Sequence, residues 1–202
     1  TRAELEGSDG LQGDNGRLQG LELVWLRDRL ESFLVQVQGS ARLQMTDGTI
    51  VSVGYAGRTN YEYISIGREL INDGIVAEDE LSLPVLLDYF RENPTALDDY
   101  LPRNNRFVFF RVTDGGPPTG NLSVPVTDGR SIATDKSILP PGALALITLE
   151  MPERNAAGEW TSVPLNRFVL DQDTGGAIRG PGRVDIFVGT GVAAGEQAGL
   201  IN

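Results

Sequence analysis

Asp173 and Asp185 lie in the run VLDQDTGGAIRGPGRVDIFVGTG, among glycines and apolar strand formers, and a third aspartate, Asp135, lies upstream in ATDKS. The 202-residue chain has no His and no Cys. That excludes serine–histidine triads, histidine bases, cysteine nucleophiles, disulfides and most transition-metal sites. Catalysis in this chain must rest on Asp, Glu, Tyr, Arg or the single lysine, Lys136. A carboxyl becomes a proton donor near neutral pH when apolar neighbours desolvate it or a second carboxylate stands close. Val184, Ile186 and Phe187 flank Asp185, and Asp173 is expected nearby, so burial of Asp185 is the expectation. The plainer reading of an aspartate before two glycines is a turn residue.

Composition narrows the partners. The net charge is −11, from 28 acidic and 17 basic residues, with no basic block, so nucleic acid is not expected as a partner. Residues 1–120 carry −8 and residues 121–202 carry −3. Arg130, Lys136, Arg179 and Arg183 cluster near the aspartate motifs, a rim that suits a substrate bearing carboxylates, although ordinary surface charge accounts for each singly. No apolar run approaches a membrane span, and the chain begins at Thr1 without Met, as expected of a processed or excerpted piece.

These residues need a frame. Residues 6–20 are polar and glycine-rich and read as a loop. The spacing of Leu23, Leu26, Leu30, Phe33, Leu34 and Val37 predicts a helix over 21–34, followed by VQVQGS as a strand entering a turn. ARLQM-TDG-TIVSVGY reads as a hairpin. Helices are expected in EYISIGRELINDG, closed by Gly74, and in SLPVLLDYFREN, opened by Ser82 and Pro84, with Thr95 capping a further turn. RFVFFRV reads as a buried strand, and TDGGPPTGN (113–121) as a linker. Beyond it, LSVPV, ALALITLEM, VPLNRFVLD and VDIFVG are short strands between turns, the pattern of a small barrel or sandwich.

The ordered motifs resemble one family. ATDKS, DTGGAIRG and RVDIF resemble the three-aspartate domain of the lytic transglycosylase A (MltA) family. TRAE, VQGSARLQMTDG, SVGYAGRTNYEYISIGRELINDG and NNRFVFFRV resemble that family's insert region, so the likeness covers nearly the whole chain. It implies a mainly β fold: a six-stranded double-psi β-barrel with an inserted second β-rich domain carrying short helices. Residues 1–37 would be the tail of the barrel's first half, 38–116 the insert, and 117–202 the second half. The family has a longer N-terminal segment and a final strand after the position of Asn202, and one residue fewer between the positions of Gly180 and Asp185.

The resemblance also implies a function: exolytic cleavage of peptidoglycan strands, in the periplasm or at the outer membrane of the cell envelope. A single-carboxylate mechanism needs no metal or cofactor, and a carboxylate-only calcium site is the one metal reading that stays open. Asp185 matches the catalytic acid/base and Asp173 the supporting carboxylate, while Asp135 is expected to serve the TDKS turn. Gln38, Gly39, Ser40, Tyr55, Ser131, Gly175, Gly176 and Arg179 are the expected substrate contacts, with Tyr55 stacking on sugar and Tyr61 and Tyr63 packing. A segment of the same protein outside this chain would complete the barrel. Two other readings stay open: a glycan-binding module that does not cleave, and an aspartic-protease-like hydrolase built on DTGG, which a single copy and Gly176 in place of Ser or Thr disfavour.

Overall fold

The structure, a computed structural model, describes residues 1–7 and 16–201, so residues 8–15 of the expected loop lie outside it. The chain divides into two compact units, Thr1–Gly116 and Pro117–Asn202. The fold is β-rich with a few helices.

The first unit contains α1 (Arg2–Glu6), α2 (Arg29–Gln38), β1 (Ser40–Gln44), β2 (Ile50–Arg58), α3 (Ile66–Asn72), α4 (Leu83–Glu92), α5 (Leu97–Tyr100) and β3 (Val108–Thr113). β1, β2 and β3 form an antiparallel sheet in that order, and the predicted β1–β2 hairpin pairs Ser40 with Gly54 through Gln44 with Ile50. The core of the unit is helical. Leu30 and Phe33 of α2 pack with Ile66 and Leu70 of α3, Phe90 of α4, and Leu97, Tyr100 and Leu101. Phe90 and Tyr100 meet edge to face at 5.7 Å between ring centroids. Arg2 is 1 % exposed, and its guanidinium donates to the carbonyls of Asn104 and Arg106, both at 2.8 Å, which fastens α1 to this unit.

Four local expectations are corrected here. The helix expected over 21–34 starts and ends later, because the Asp28 carboxylate accepts from the N–H groups of Leu30 (2.7 Å) and Glu31 (3.1 Å). VQVQ is therefore the last turns of α2 and not a strand, and Gly39, at φ 78°, closes the helix in the left-handed region. RFVFFRV forms an edge strand, with Val112 57 % exposed. Thr95 caps nothing; the 3-10 turn Pro94–Ala96 has no side-chain cap. The α4 start follows the sequence, with the Ser82 hydroxyl accepting from the Val85 N–H, and α3 starts in the same way at Ser65, whose hydroxyl accepts from the Arg68 N–H.

The second unit contains β4 (Ser131–Ala133), β5 (Leu144–Arg154), β6 (Trp160–Asp173), β7 (Asp185–Ile186) and α6 (Val192–Ala198). Its four strands lie in the order β5-β6-β4-β7, with β5 antiparallel to β6, β4 parallel to β6 and β7 antiparallel to β4. LSVPV forms only an isolated bridge, Thr119 with Pro125, because its neighbours are turn residues. The β5–β6 hairpin alternates. Val169, Asp171 and Met151 are buried, while the cross-strand pairs Leu144–Leu170 and Leu146–Phe168 stand open on the other face, each residue at least 44 % exposed.

Candidate active site

The register of β4 assembles the aspartates. Ala133 pairs with Asp173 on β6 and with Asp185 on β7, so the two carboxylates flank one residue across three adjacent strands. Two strand spacings put their backbones about 10 Å apart. Gln172 is the extra residue where the β4–β6 register shifts, a bulge immediately before Asp173.

Each aspartate has a different environment. Asp135 is 7 % exposed. It accepts from the Gly180 N–H (2.9 Å), the Ser137 N–H (3.0 Å) and the Ser137 hydroxyl (2.8 Å), so it ties the end of β4 to the 174–184 loop. Those bonds, the Gly180 N–H foremost, pull its carboxyl down to about 2. Asp173 is half-buried and accepts from the Asn121 N–H at 2.9 Å. Burial raises its pKa, opposed by the N–H groups of Thr174 and Asn121 and by the charge of Lys136, and reinforced by Asp171.

Asp185 departs from expectation. Its side chain is 47 % exposed and faces Arg183, whose Nε and Nη2 reach its two oxygens at 3.0 and 3.3 Å. Val184 is itself 44 % exposed, so the anticipated apolar jacket is not present around this carboxylate. β7 has only two residues and, among the described residues, pairs only with β4, at the edge of the sheet.

The expected ligand contacts fall in three places. Gln38, Gly39 and Ser40 form the junction of α2 and β1 in the first unit, with Gln38 exposed. Tyr55, 48 % exposed, lies on β2 of the same unit beside a bulge. Tyr61 is 44 % exposed and Tyr63 half-buried. In the second unit, Arg179 is 69 % exposed with its guanidinium 3.9 Å from Asp135. Gly175 is a packing glycine: a Cβ there would meet Ile178 at 3.0 Å. Gly176 is half-buried beside it. Ser131 is 1 % exposed, and its hydroxyl accepts from Thr127 N–H (2.8 Å) and donates to Gln172, so the expected hydroxyl contact with a ligand gives way to an interior one.

Sequence reasoning missed Asp171, which is 0 % exposed. It accepts from the Thr134 hydroxyl (2.9 Å) and pairs with the Lys136 ammonium. The available signal was a carboxylate between Leu170 and Gln172 in an apolar strand, matched to the lone lysine. Gly120 was also missed. A Cβ on it would come within 2.5 Å of the Gln172 carbonyl oxygen, and that closeness lets Asn121 reach Asp173.

Residues 1–111 match the family described as the MltA specific insert domain, and residues 130–202 the 3D domain. The membrane-bound lytic murein transglycosylase A of Vibrio cholerae is 36 % identical over 201 residues, covering 98 % of this chain and 52 % of that protein. That of Escherichia coli K12 is 32 % identical, covering 89 % and 49 %. Among solved structures, a membrane-bound lytic murein transglycosylase from Agrobacterium tumefaciens superposes with a TM-score of 0.80 at 32 % identity, over 98 % of this chain and 54 % of that one. E. coli MltA with bound chitohexaose gives 0.71 at 32 % identity, over 84 % and 50 %. The chain thus spans about half the length of the curated relatives it matches.

Proposed function

The chain belongs to the MltA family of lytic murein transglycosylases, and from that premise we propose that it is the insert and three-aspartate portion of an envelope enzyme. That enzyme cleaves the β-1,4 bond between MurNAc and GlcNAc in peptidoglycan and leaves 1,6-anhydromuramic ends. The observation that carries the reading is the β4 register, which brings the 3D-domain aspartates 173 and 185 to either side of Ala133. On this reading residues 1–37 are the tail of the barrel's first half and lead into the insert of residues 38–116. Residues 117–202 return to a six-stranded double-psi barrel, whose remaining strands come from the part of the relatives' length that this chain does not span.

A glycosidic bond breaks when a proton reaches the leaving oxygen as the sugar becomes oxocarbenium-like. Ordinary glycosidases need a second carboxylate to activate water or attack the ring. Here the attacking group is the C6 hydroxyl of the muramic acid, tethered to the reacting ring, so one carboxyl suffices. Asp185 donates its proton to the leaving oxygen, then accepts the C6-hydroxyl proton as the 1,6 bond closes; no water is consumed. Asp173 supports it as a partly buried second carboxylate. The exposed side of Asp185 and β7 is where the glycan and the remaining barrel strands come to lie, and they supply the desolvation that this half lacks. The open apolar pairs Leu144–Leu170 and Leu146–Phe168 provide a surface for those strands. Within the first unit Gln38, Gly39, Ser40 and Tyr55, and within the second Arg179 and the backbone around Gly175 and Gly176, are each the proposed glycan-binding groups of their own unit.

Digestion of purified murein with the full-length protein, followed by mass spectrometry of the muropeptides, tests the reading. Anhydro ends support it, and reducing ends mean a hydrolase. An unchanged murein sacculus that still retains the protein supports the second reading, a glycan-binding module. The observation favouring that alternative is the half-exposed, arginine-paired state of Asp185.

A further inference from the structure

Asp171 is a fully buried carboxylate that the proposed chemistry does not use, and it is held by groups that also hold Asp173. Thr134, the residue after β4, contacts the end of β6 through three atoms. Its N–H donates to the Asp173 carbonyl (3.3 Å), its hydroxyl donates to Asp171 (2.9 Å), and its carbonyl accepts from the Thr174 hydroxyl (3.1 Å). Lys136 Nζ donates to the Thr134 hydroxyl (3.3 Å) and pairs with Asp171. The clamp closes around the bulge at Gln172, where the ladder by itself does not define the direction of the next side chain.

We propose that Lys136 and Asp171 are positioning residues for Asp173: a pair of opposite charges whose carboxylate is fully buried, locked through Thr134, that fixes the backbone carrying Asp173 and sets the field at its carboxylate. The two charges act oppositely. The Lys136 ammonium favours ionised Asp173, and the Asp171 carboxylate opposes it. The other groups around Asp173 are the Asn121 and Thr174 N–H groups and, across β4, Asp185. The consequence for catalysis rests on the reading of Asp173 as the supporting carboxylate, whereas the coupling itself does not.

The test is the ionisation of the Asp173 carboxyl, followed by 13C NMR in the full-length protein with Lys136→Gln and Asp171→Asn. Both substitutions keep a hydrogen-bonding partner and remove one charge. Lys136→Gln moves the Asp173 titration upward, and Asp171→Asn moves it downward. The double variant, which removes both charges and guards against a single variant that fails to fold, titrates close to the parent. Shifts in the same direction, no shift in either variant, or a double variant displaced as far as a single one would each overturn the proposal. Murein cleavage against pH is measured alongside. Opposite NMR shifts with an unmoved activity profile keep the charge coupling and remove Asp173 from the chemistry.

Discussion

At the residue scale, three aspartates of one motif set have three different surroundings, and the variants should separate them. Asp185→Asn in the full-length protein is expected to lower anhydromuropeptide release by about 10²–10⁴-fold while murein pull-down stays intact, the span typical of losing a general acid/base. Cleavage at the parental rate would remove Asp185 from the role. Asp135 concerns stability. Its carboxyl titrates near 2 in the fold against an ordinary 3.8, so its stabilising contribution is complete above the ordinary value. That contribution is lost as pH falls from about 4 towards 2. Thermal melts of Asp135→Asn should therefore diverge from the parent at neutral pH and converge near pH 2. Asp173 carries the opposite sign. Its raised pKa means that ionisation costs stability as pH climbs past the ordinary carboxylate value.

At the element scale, caps and buried pairs decide where strands and helices stop. Asp28 holds two N–H groups at the start of α2, and Asp28→Ala should cost about 1 kcal/mol in denaturant unfolding. Removing the charge opposite fully buried Asp171 is more severe. Lys136→Met should destabilise by about 3–5 kcal/mol, because the carboxylate is left buried without its counter-charge. Restoring both sides with apolar residues, as in Lys136→Met with Asp171→Leu, should recover much of the loss. Additive losses in the double variant would contradict the pairing. The hairpin, α3 and α4 were legible because each rests on local signals: a TDG turn, apolar helical spacing ending at Gly74, and Ser82 with Pro84 at the helix start. The start of α2 was not, because Leu23 and Leu26 continue the helical spacing upstream, and only the Asp28 cap ends it.

At the scale of the whole molecule, the second unit exposes Leu144, Leu146, Phe168 and Leu170 on one side of its longest hairpin. Open apolar cross-strand pairs along a long edge strand, β5, invite association. The 202-residue chain by itself is expected to self-associate in analytical ultracentrifugation, and Leu146→Glu with Phe168→Glu to reduce that association. A monomer with a sharp two-state melt would refute this. No helix among the described residues is long and apolar enough to cross a membrane. What the sequence by itself determined was the motif order, hence the family, and the exclusion of histidine and cysteine chemistry, since both depend only on which residues occur and in what order. What only the tertiary structure decided was which charges meet. The spacing in the chain does not reveal that Lys136 closes on Asp171, that Ala133 stands between Asp173 and Asp185, or that Asp185 faces Arg183 in the open. Burial and strand register, which set a carboxylate's field, arise from contacts between residues far apart in sequence.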